Sequence, residues 1–177
     1  MLIRFVVTNF LSFNEESDFN MIAGSFKTHK HHVYNIGKID VLKSAVFYGA
    51  NGSGKSNLMK AVNFLKETVL YGGIDQSVDD KKFKLNTDNA EKPISFEIEF
   101  SIEKKIYSYG ISLNHEIITE EWLYESGITV DDKLVFERKT SNTGKISLKF
   151  ADKYVRTQKD VMLMELLQEN LLQKNKL

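Results

Sequence analysis

Cysteine is absent from the 177 residues, and proline occurs once, at Pro93. Without thiols the fold holds neither a disulfide framework nor a cysteine-ligated zinc, so its stability has to come from a packed core. The chain is long enough for one, since a domain of this size removes about 70% of its extended surface from water. No apolar run approaches the roughly 20 residues that span a bilayer. The opening Met1-Leu2-Ile3-Arg4-Phe5 runs directly into strand-like sequence rather than a leader pattern. These absences read as a cytoplasmic protein with no membrane partner. Charge of one sign is not in excess either: 24 Lys+Arg balance 24 Asp+Glu, so no global field draws the chain to a polyanion, and nucleic-acid binding is unsupported by charge.

What is present is a mixed α/β (α+β) pattern. Leu2 to Thr8 is apolar and β-branched, and Phe10, Phe13 and Phe19 follow among polar residues, as in a strand, a turn and a second strand. Residues 25–40 show no sustained period and read as a loop with at most a short strand. Ser44-Ala45-Val46-Phe47-Tyr48 is an almost unbroken apolar run, the pattern of a central strand buried on both faces. From Asn57 the period changes. Leu58, Ala61, Val62, Leu65 and Val69 recur three or four apart, opposite Lys60, Asn63, Lys66 and Glu67, which predicts an amphipathic helix ending at Gly72-Gly73 and packed on a sheet.

A polar excursion over 74–92 leads to strand-like runs at 94–102, 105–113, 117–124 and 133–139. In the first, Ile94, Phe96, Ile98, Phe100 and Ile102 alternate with Ser95, Glu97, Glu99 and Ser101. An antiparallel meander is expected, extended by a fifth run at 145–150. Residues 159–177 close the sequence with Met164, Leu167 and Leu171 in one apolar series and Leu163, Leu166 and Leu172 beside it. This predicts a terminal helix with apolar side chains left over, to be met by further chain or by a partner helix.

One motif carries chemistry. Gly49-Ala50-Asn51-Gly52-Ser53-Gly54-Lys55-Ser56 satisfies G-x-x-x-x-G-K-[ST], the Walker A phosphate loop, between a strand-like run and a helix. Glycines at 49, 52 and 54 let the backbone turn its N–H groups around a phosphate, which then meets the positive end of the helix. In this pattern Lys55 reaches the β- and γ-phosphates, and the Ser56 hydroxyl ligates Mg²⁺. No guanine-reading N-K-x-D accompanies the loop. Arginines, which a small-molecule kinase needs around its transferred phosphoryl group, stand only at positions 4, 138 and 156.

Three strings together resemble a known family: Ile3-Arg4-Phe5-Val6-Val7-Thr8-Asn9-Phe10-Leu11-Ser12-Phe13, the loop with its flanks from Leu42 to Leu58, and Tyr107-Ser108-Tyr109-Gly110 followed by Thr119-Glu120-Glu121-Trp122-Leu123. They are similar to the N-terminal part of ABC-type, SMC-like AAA-family ATPases, among them bacterial overcoming-lysogenization-defect (OLD) and abortive-infection proteins. The resemblance covers about residues 1–150. It implies an ATP-binding lobe over 1–156, with 157–177 starting a helical arm. In such heads two copies sandwich ATP, so a homodimer of heads, or a C-terminal half or partner subunit, is the implied partner. Asn51, Gly52, Gly54, Lys55, Ser56 and Asn57 would line the phosphates and Mg²⁺, and phage defence or DNA maintenance would be the setting.

The sequence also departs from the family. In many relatives a basic residue follows the Asn-Phe of the first strand and touches the nucleotide phosphates; here that position is Leu11, and Lys27 or Lys30 would have to take its place if any residue does. No apolar run ends in the Asp-Glu of a Walker B strand, and no signature segment or Q-loop is recognisable. Gly37-Lys38-Ile39-Asp40 and Gln76-Ser77-Val78-Asp79-Asp80 are too polar for the former role. The expectation is an N-terminal half of a head that binds MgATP and hydrolyses it only when completed, or, as the alternative, a nucleotide-responsive interaction module without turnover.

The remaining signals read as ordinary surface or core. His29, His31 and His32, near Lys27 and Lys30 and with no carboxylate or thiol close by, read as solvated side chains rather than metal ligands. His115 falls in a hairpin turn. Trp122 reads as core or interface, and the adjacent Glu120 and Glu121 should point to opposite faces of one strand. Lys81, Lys82 and Lys84 read as a solvated run.

Overall fold

The computed structural model describes residues 1–25, 28–72, 78–115, 117–127, 131–141 and 143–174, the last five of these by backbone alone. Among the described residues, seven strands form one sheet in the order β2-β1-β5-β6-β7-β8-β9, with every neighbouring pair antiparallel. These are β1 (Leu2–Thr8), β2 (Ser17–Asn20), β5 (Ile94–Ile102), β6 (Lys105–Asn114), β7 (Ile117–Ser126), β8 (Lys133–Thr140) and β9 (Ile146–Phe150). Two further strands, β3 (Val33–Ile36) and β4 (Ile39–Leu42), make a separate hairpin. The helices are α1 (Lys55–Tyr71) and α2 (Gln158–Lys174).

The meander over 94–150 is thus as the alternation predicts. It joins β1 and β2 through the β1–β5 ladder, in which Phe5 faces Ile98 and Val7 faces Phe96. That register puts Phe5, Val7, Phe96, Ile111 and Leu113 on one face, where Ala61 and Leu65 of α1 complete the core. Phe10, Phe64 and Phe96 meet with ring centroids 5.3 to 5.6 Å apart and tie the helix to the sheet. Each such ring removes a large apolar area from water. The other face carries Arg4, Glu97, Glu99, Ser108 and Trp122, and Arg4 lies within 3.1 to 3.9 Å of carboxylate oxygens of Asp18, Glu99, Glu97 and Glu16.

Helix α1 ends as predicted, at Gly72 in the left-handed conformation. The loop expected over 25–40 contains more structure than its composition announces. A 3-10 turn at Lys30–His32 leads into the β3–β4 hairpin, closed at Gly37 with φ +67°. Ile36 and Val41 of that hairpin are buried with Ile3, Met21 and Ile106 in a second, smaller core. Helix α2 begins with a reciprocal cap. The Asp160 carboxylate accepts from the N–H groups of Arg156 and Thr157, while Thr157 Oγ1 accepts from the Asp160 N–H. Leu163, Leu166 and Leu167 of the predicted apolar series are exposed along it, as are Val161 and Met162, whereas Met164 is half-buried and the side chains of Leu171 and Leu172 lie outside the described residues.

The central strand predicted at 44–48 is not there. Residues 44–50 belong to no strand and are exposed, with Val46 at 71% and Tyr48 at 90% of full accessibility. A strand buried on both faces needs a slot between two others. In this sheet each meander strand is hydrogen-bonded to its sequence neighbours, and the middle position belongs to β6, so no slot opens for 44–48. Among the described residues, only Phe47 of this run finds an aromatic partner, Phe19 of β2, at 5.0 Å between ring centroids.

Candidate functional site

The glycine loop connects this exposed lead-in to α1, and its position is set by the first hairpin. Phe47 packs on Phe19 on one side of the loop, and on the other a Cβ at Gly54 would come within 3.0 Å of Ser12 Oγ. Gly52 and Gly54 have φ of +83° and +90°, values that side chains with a Cβ rarely adopt, so the chain can turn here only because both are glycine. The Ser53 N–H donates to the Ala50 carbonyl at 3.2 Å, closing the turn.

Helix α1 starts directly from this turn, with Gly54 as its N-cap. The Asn57 N–H donates to the Gly54 carbonyl at 2.9 Å. No side chain caps the helix, and no acidic residue stands in its first turn. The first N–H groups and the positive end of the helix dipole are therefore open to an anion. Between Asp40 and Glu67 the sequence has no carboxylate at all, so nothing of like sign to a phosphate competes within this stretch.

Lys55 closes the loop from inside. Its Nζ donates to the carbonyls of Gly49 and Ala50, both at 2.7 Å, and lies 3.3 Å from Ser53 Oγ. The ammonium is held over the cradle by neutral oxygens, and an incoming phosphate competes with them because it adds a full opposite charge that a carbonyl oxygen lacks. Asn51, Ser53 and Ser56 are exposed around the same loop, and Gly54, Lys55 and Asn57 are half-buried. The Ser56 hydroxyl, at the second helical position, is a hard oxygen donor of the kind Mg²⁺ takes. All eight residues singled out by sequence, Gly49 and Asn51 to Asn57, thus sit on one continuous turn at one helix start.

Beside α1 a cavity of about 320 Å³ is lined by Phe10, Leu11, Met59, Asn63, Phe64 and Lys81, among others. The Leu11 N–H donates to the Lys81 carbonyl at 2.7 Å. The fold thus brings Lys81 next to Leu11, a neighbour the sequence does not reveal, and Lys60 lines the same cavity. Lys30 stands on the 3-10 turn before β3, and Lys27 lies outside the described residues.

A buried cation supports this architecture. Lys82 is only 3% exposed. Its Nζ donates to Ala90 O at 2.5 Å and Asn114 Oδ1 at 2.7 Å, and lies 2.8 Å from Asp79 Oδ1. Asp79 also meets His115 Nδ1 at 2.8 Å. Lys82 and its hydrogen bond hold the Asp79 carboxyl below the usual carboxylate range, with His115 adding to the effect. The run Lys81-Lys82-Lys84 is consequently not a solvated patch: its middle member is a structural cation.

On the meander, Glu120 and Glu121 face opposite ways, as strand geometry requires. Glu120 lies 3.8 Å from Lys139, whereas Glu121 is buried beside Arg138 at 3.8 Å and accepts from Tyr109 Oη at 3.0 Å. Burial raises the Glu121 carboxyl and lowers the Arg138 guanidinium.

Residues 44–160, more than half of the chain, match a family described as "AAA domain, putative AbiEii toxin, Type IV TA system". The match begins at the lead-in to the glycine loop and runs through the whole meander to the start of α2. No curated protein matches the chain.

Proposed function

Because the chain belongs to this AAA-domain family, whose domain is nucleotide-binding and ATPase-like, we propose that its glycine loop binds ATP with Mg²⁺. In this reading Gly49, Asn51, Gly52, Ser53 and Gly54 wrap the phosphates with backbone N–H groups. Lys55 leaves the Gly49 and Ala50 carbonyls for the β- and γ-phosphates, and Asn57 borders the site from the first turn of α1. Ser56 holds the Mg²⁺, which when bound neutralises phosphate charge. The observation that carries the proposal is the position of Lys55 Nζ, 2.7 Å from two loop carbonyls at an uncapped helix start.

Hydrolysis requires more than this. Charge stabilisation and a positioned water do most of the work in phosphoryl transfer, and no apolar strand of this sequence ends in the Asp-Glu pair that would position that water. The proposal is therefore an ATP-binding lobe over 1–156 of an ABC-type, SMC-like head, with α2 starting an arm. Its catalytic carboxylate and signature segment come from a C-terminal half, a partner subunit or a paired head. The abortive-infection description of the family favours a role in phage defence.

The same lack of an Asp-Glu pair favours one other reading, a nucleotide-responsive module that binds without turnover in any assembly. Calorimetric titration with MgATP, in parallel with phosphate release, separates them. Binding without release from the isolated chain fits both. Turnover that appears on adding a C-terminal half or partner selects the head, and robust release from the chain alone contradicts the requirement for completion.

A further inference from the structure

Outside the glycine loop, one side-chain cluster is built like a ligand set. His29 is the N-cap of the 3-10 turn before β3, His31 and His32 lie within that turn, and one ring nitrogen from each lies within 4.8 Å of those of the other two. The His31 and His32 rings touch, with centroids 4.0 Å apart, and each stands 6.0 Å from the ring of His29. Among the described residues the three rings make no hydrogen bond, so their nitrogens are spent on no other partner.

Backbone geometry brings them together. His29 adopts the left-handed conformation, φ 58° and ψ 34°, which reverses the chain so that its ring returns toward those of His31 and His32. The turn is closed by the His32 N–H donating to the His29 carbonyl at 2.9 Å. Lys43 then pins it from the end of β4: its N–H donates to the His32 carbonyl at 2.9 Å and its Nζ to the His31 carbonyl at 2.8 Å. The three imidazoles therefore sit on a braced turn.

We propose that His29, His31 and His32 form a site for one divalent transition-metal ion of the zinc class. Imidazole nitrogen suits Zn²⁺, Cu²⁺ and Ni²⁺ rather than Mg²⁺ or Ca²⁺, and three imidazoles on an exposed turn leave a fourth position for water. At Zn–N distances of 2.0–2.1 Å, tetrahedral ligands are about 3.4 Å apart, so the nitrogens close by at most about 1.5 Å on binding, within reach of side-chain rotation. Lys30 and Lys43 add positive charge nearby, and none of the three ligands is anionic. The site accordingly binds more weakly than a closed thiolate site. Because Lys43 immediately precedes the lead-in to the glycine loop, an ion here stiffens the base of that segment. The site does not rest on nucleotide binding.

The test is titration of the purified chain with Zn²⁺ in competition with a chromogenic chelator, repeated with Co²⁺ to read its visible absorption. Expected is one ion per chain, with Co²⁺ bands of a low-coordinate nitrogen site. His31→Ala should weaken binding roughly tenfold or more, and the triple variant His29→Ala, His31→Ala, His32→Ala should abolish it. His115→Ala, at the exposed imidazole remote from this turn, should leave it unchanged. Far-UV circular dichroism checks that the variants fold, and histidine ring resonances of the wild-type chain give a mutation-free reading, with three of four shifting. Zn²⁺ affinity retained in the folded triple variant, or no saturable binding by the wild-type chain, overturns the proposal.

Discussion

Lys55 Nζ donates to the carbonyl of Gly49, six residues back in sequence, at 2.7 Å. Lysine and glycine are thereby the two ends of one closed loop, and the charge that a phosphate would meet is held in place by groups that give it up at small cost. These contacts are solvent-exposed, so they contribute little to folding. Lys55→Ala is expected to change stability by no more than about 0.5 kcal/mol in urea unfolding. A large loss of stability would mean that the lysine is a structural strut.

Gly54 should be far less tolerant. At φ +90° a Cβ is strained, and it would also stand 3.0 Å from Ser12 Oγ. Gly54→Ala is expected to cost about 1–2 kcal/mol, read by urea unfolding. Ser12→Ala in the same chain should recover only the contact part of that loss, leaving the backbone strain.

Gly110 of β6 lies under Trp122 of β7, its cross-strand partner. A Cβ there would fall 2.3 Å from two carbons of the indole, so Gly110→Ala must push the ring off the sheet. The expected penalty is about 1–3 kcal/mol. Trp122 is the only tryptophan, so its fluorescence reports the displacement directly, as a red-shifted emission. Unchanged emission and stability would contradict the packing.

Particular residues show where the sequence was legible. The strict alternation of Ile94 to Ile102 and the three-to-four spacing of Leu58 to Leu65 are local patterns, and both elements form where those patterns lie. The glycine loop is likewise a contiguous string whose chemistry is written in adjacent residues. Residues 44–48 misled because apolar composition records only that a run can be buried. Whether a slot exists depends on how distant strands pair, and here the antiparallel meander fills every position. Ile36 and Val41 were hidden by the polar residues around them: a four-residue strand is too short to show a period. Lys82 has one local partner, Asp79, three residues back, but its burial depends on Ala90 and Asn114, 8 and 32 residues away, which no local pattern announces. The pairing of Glu121 with Arg138 likewise depends on the register of β7 against β8.

Asp79 gives a pH-dependent prediction. Its carboxyl is held low by Lys82 and His115, so the stability it contributes is present above the unfolded-state value of about 3.9 and is lost as the pH falls through the lower folded value. The carboxylate is partly exposed, which limits the gain to about 1 kcal/mol or less. Asp79→Asn should be less stable than wild type at neutral pH, and the two should converge in strong acid. A gap that stays constant with pH would show that the effect is not one of charge.

The most direct measurement of the central claim is calorimetric titration with MgATP of the wild-type chain and of Lys55→Ala, both checked for folding. Saturable one-to-one binding by the wild type and a loss of roughly 10-fold or more in the variant are expected, since the lysine supplies a charge-assisted contact to the phosphates. Equal affinity in the two proteins, or no binding by a folded wild-type chain, would contradict the assignment of the glycine loop as the nucleotide site.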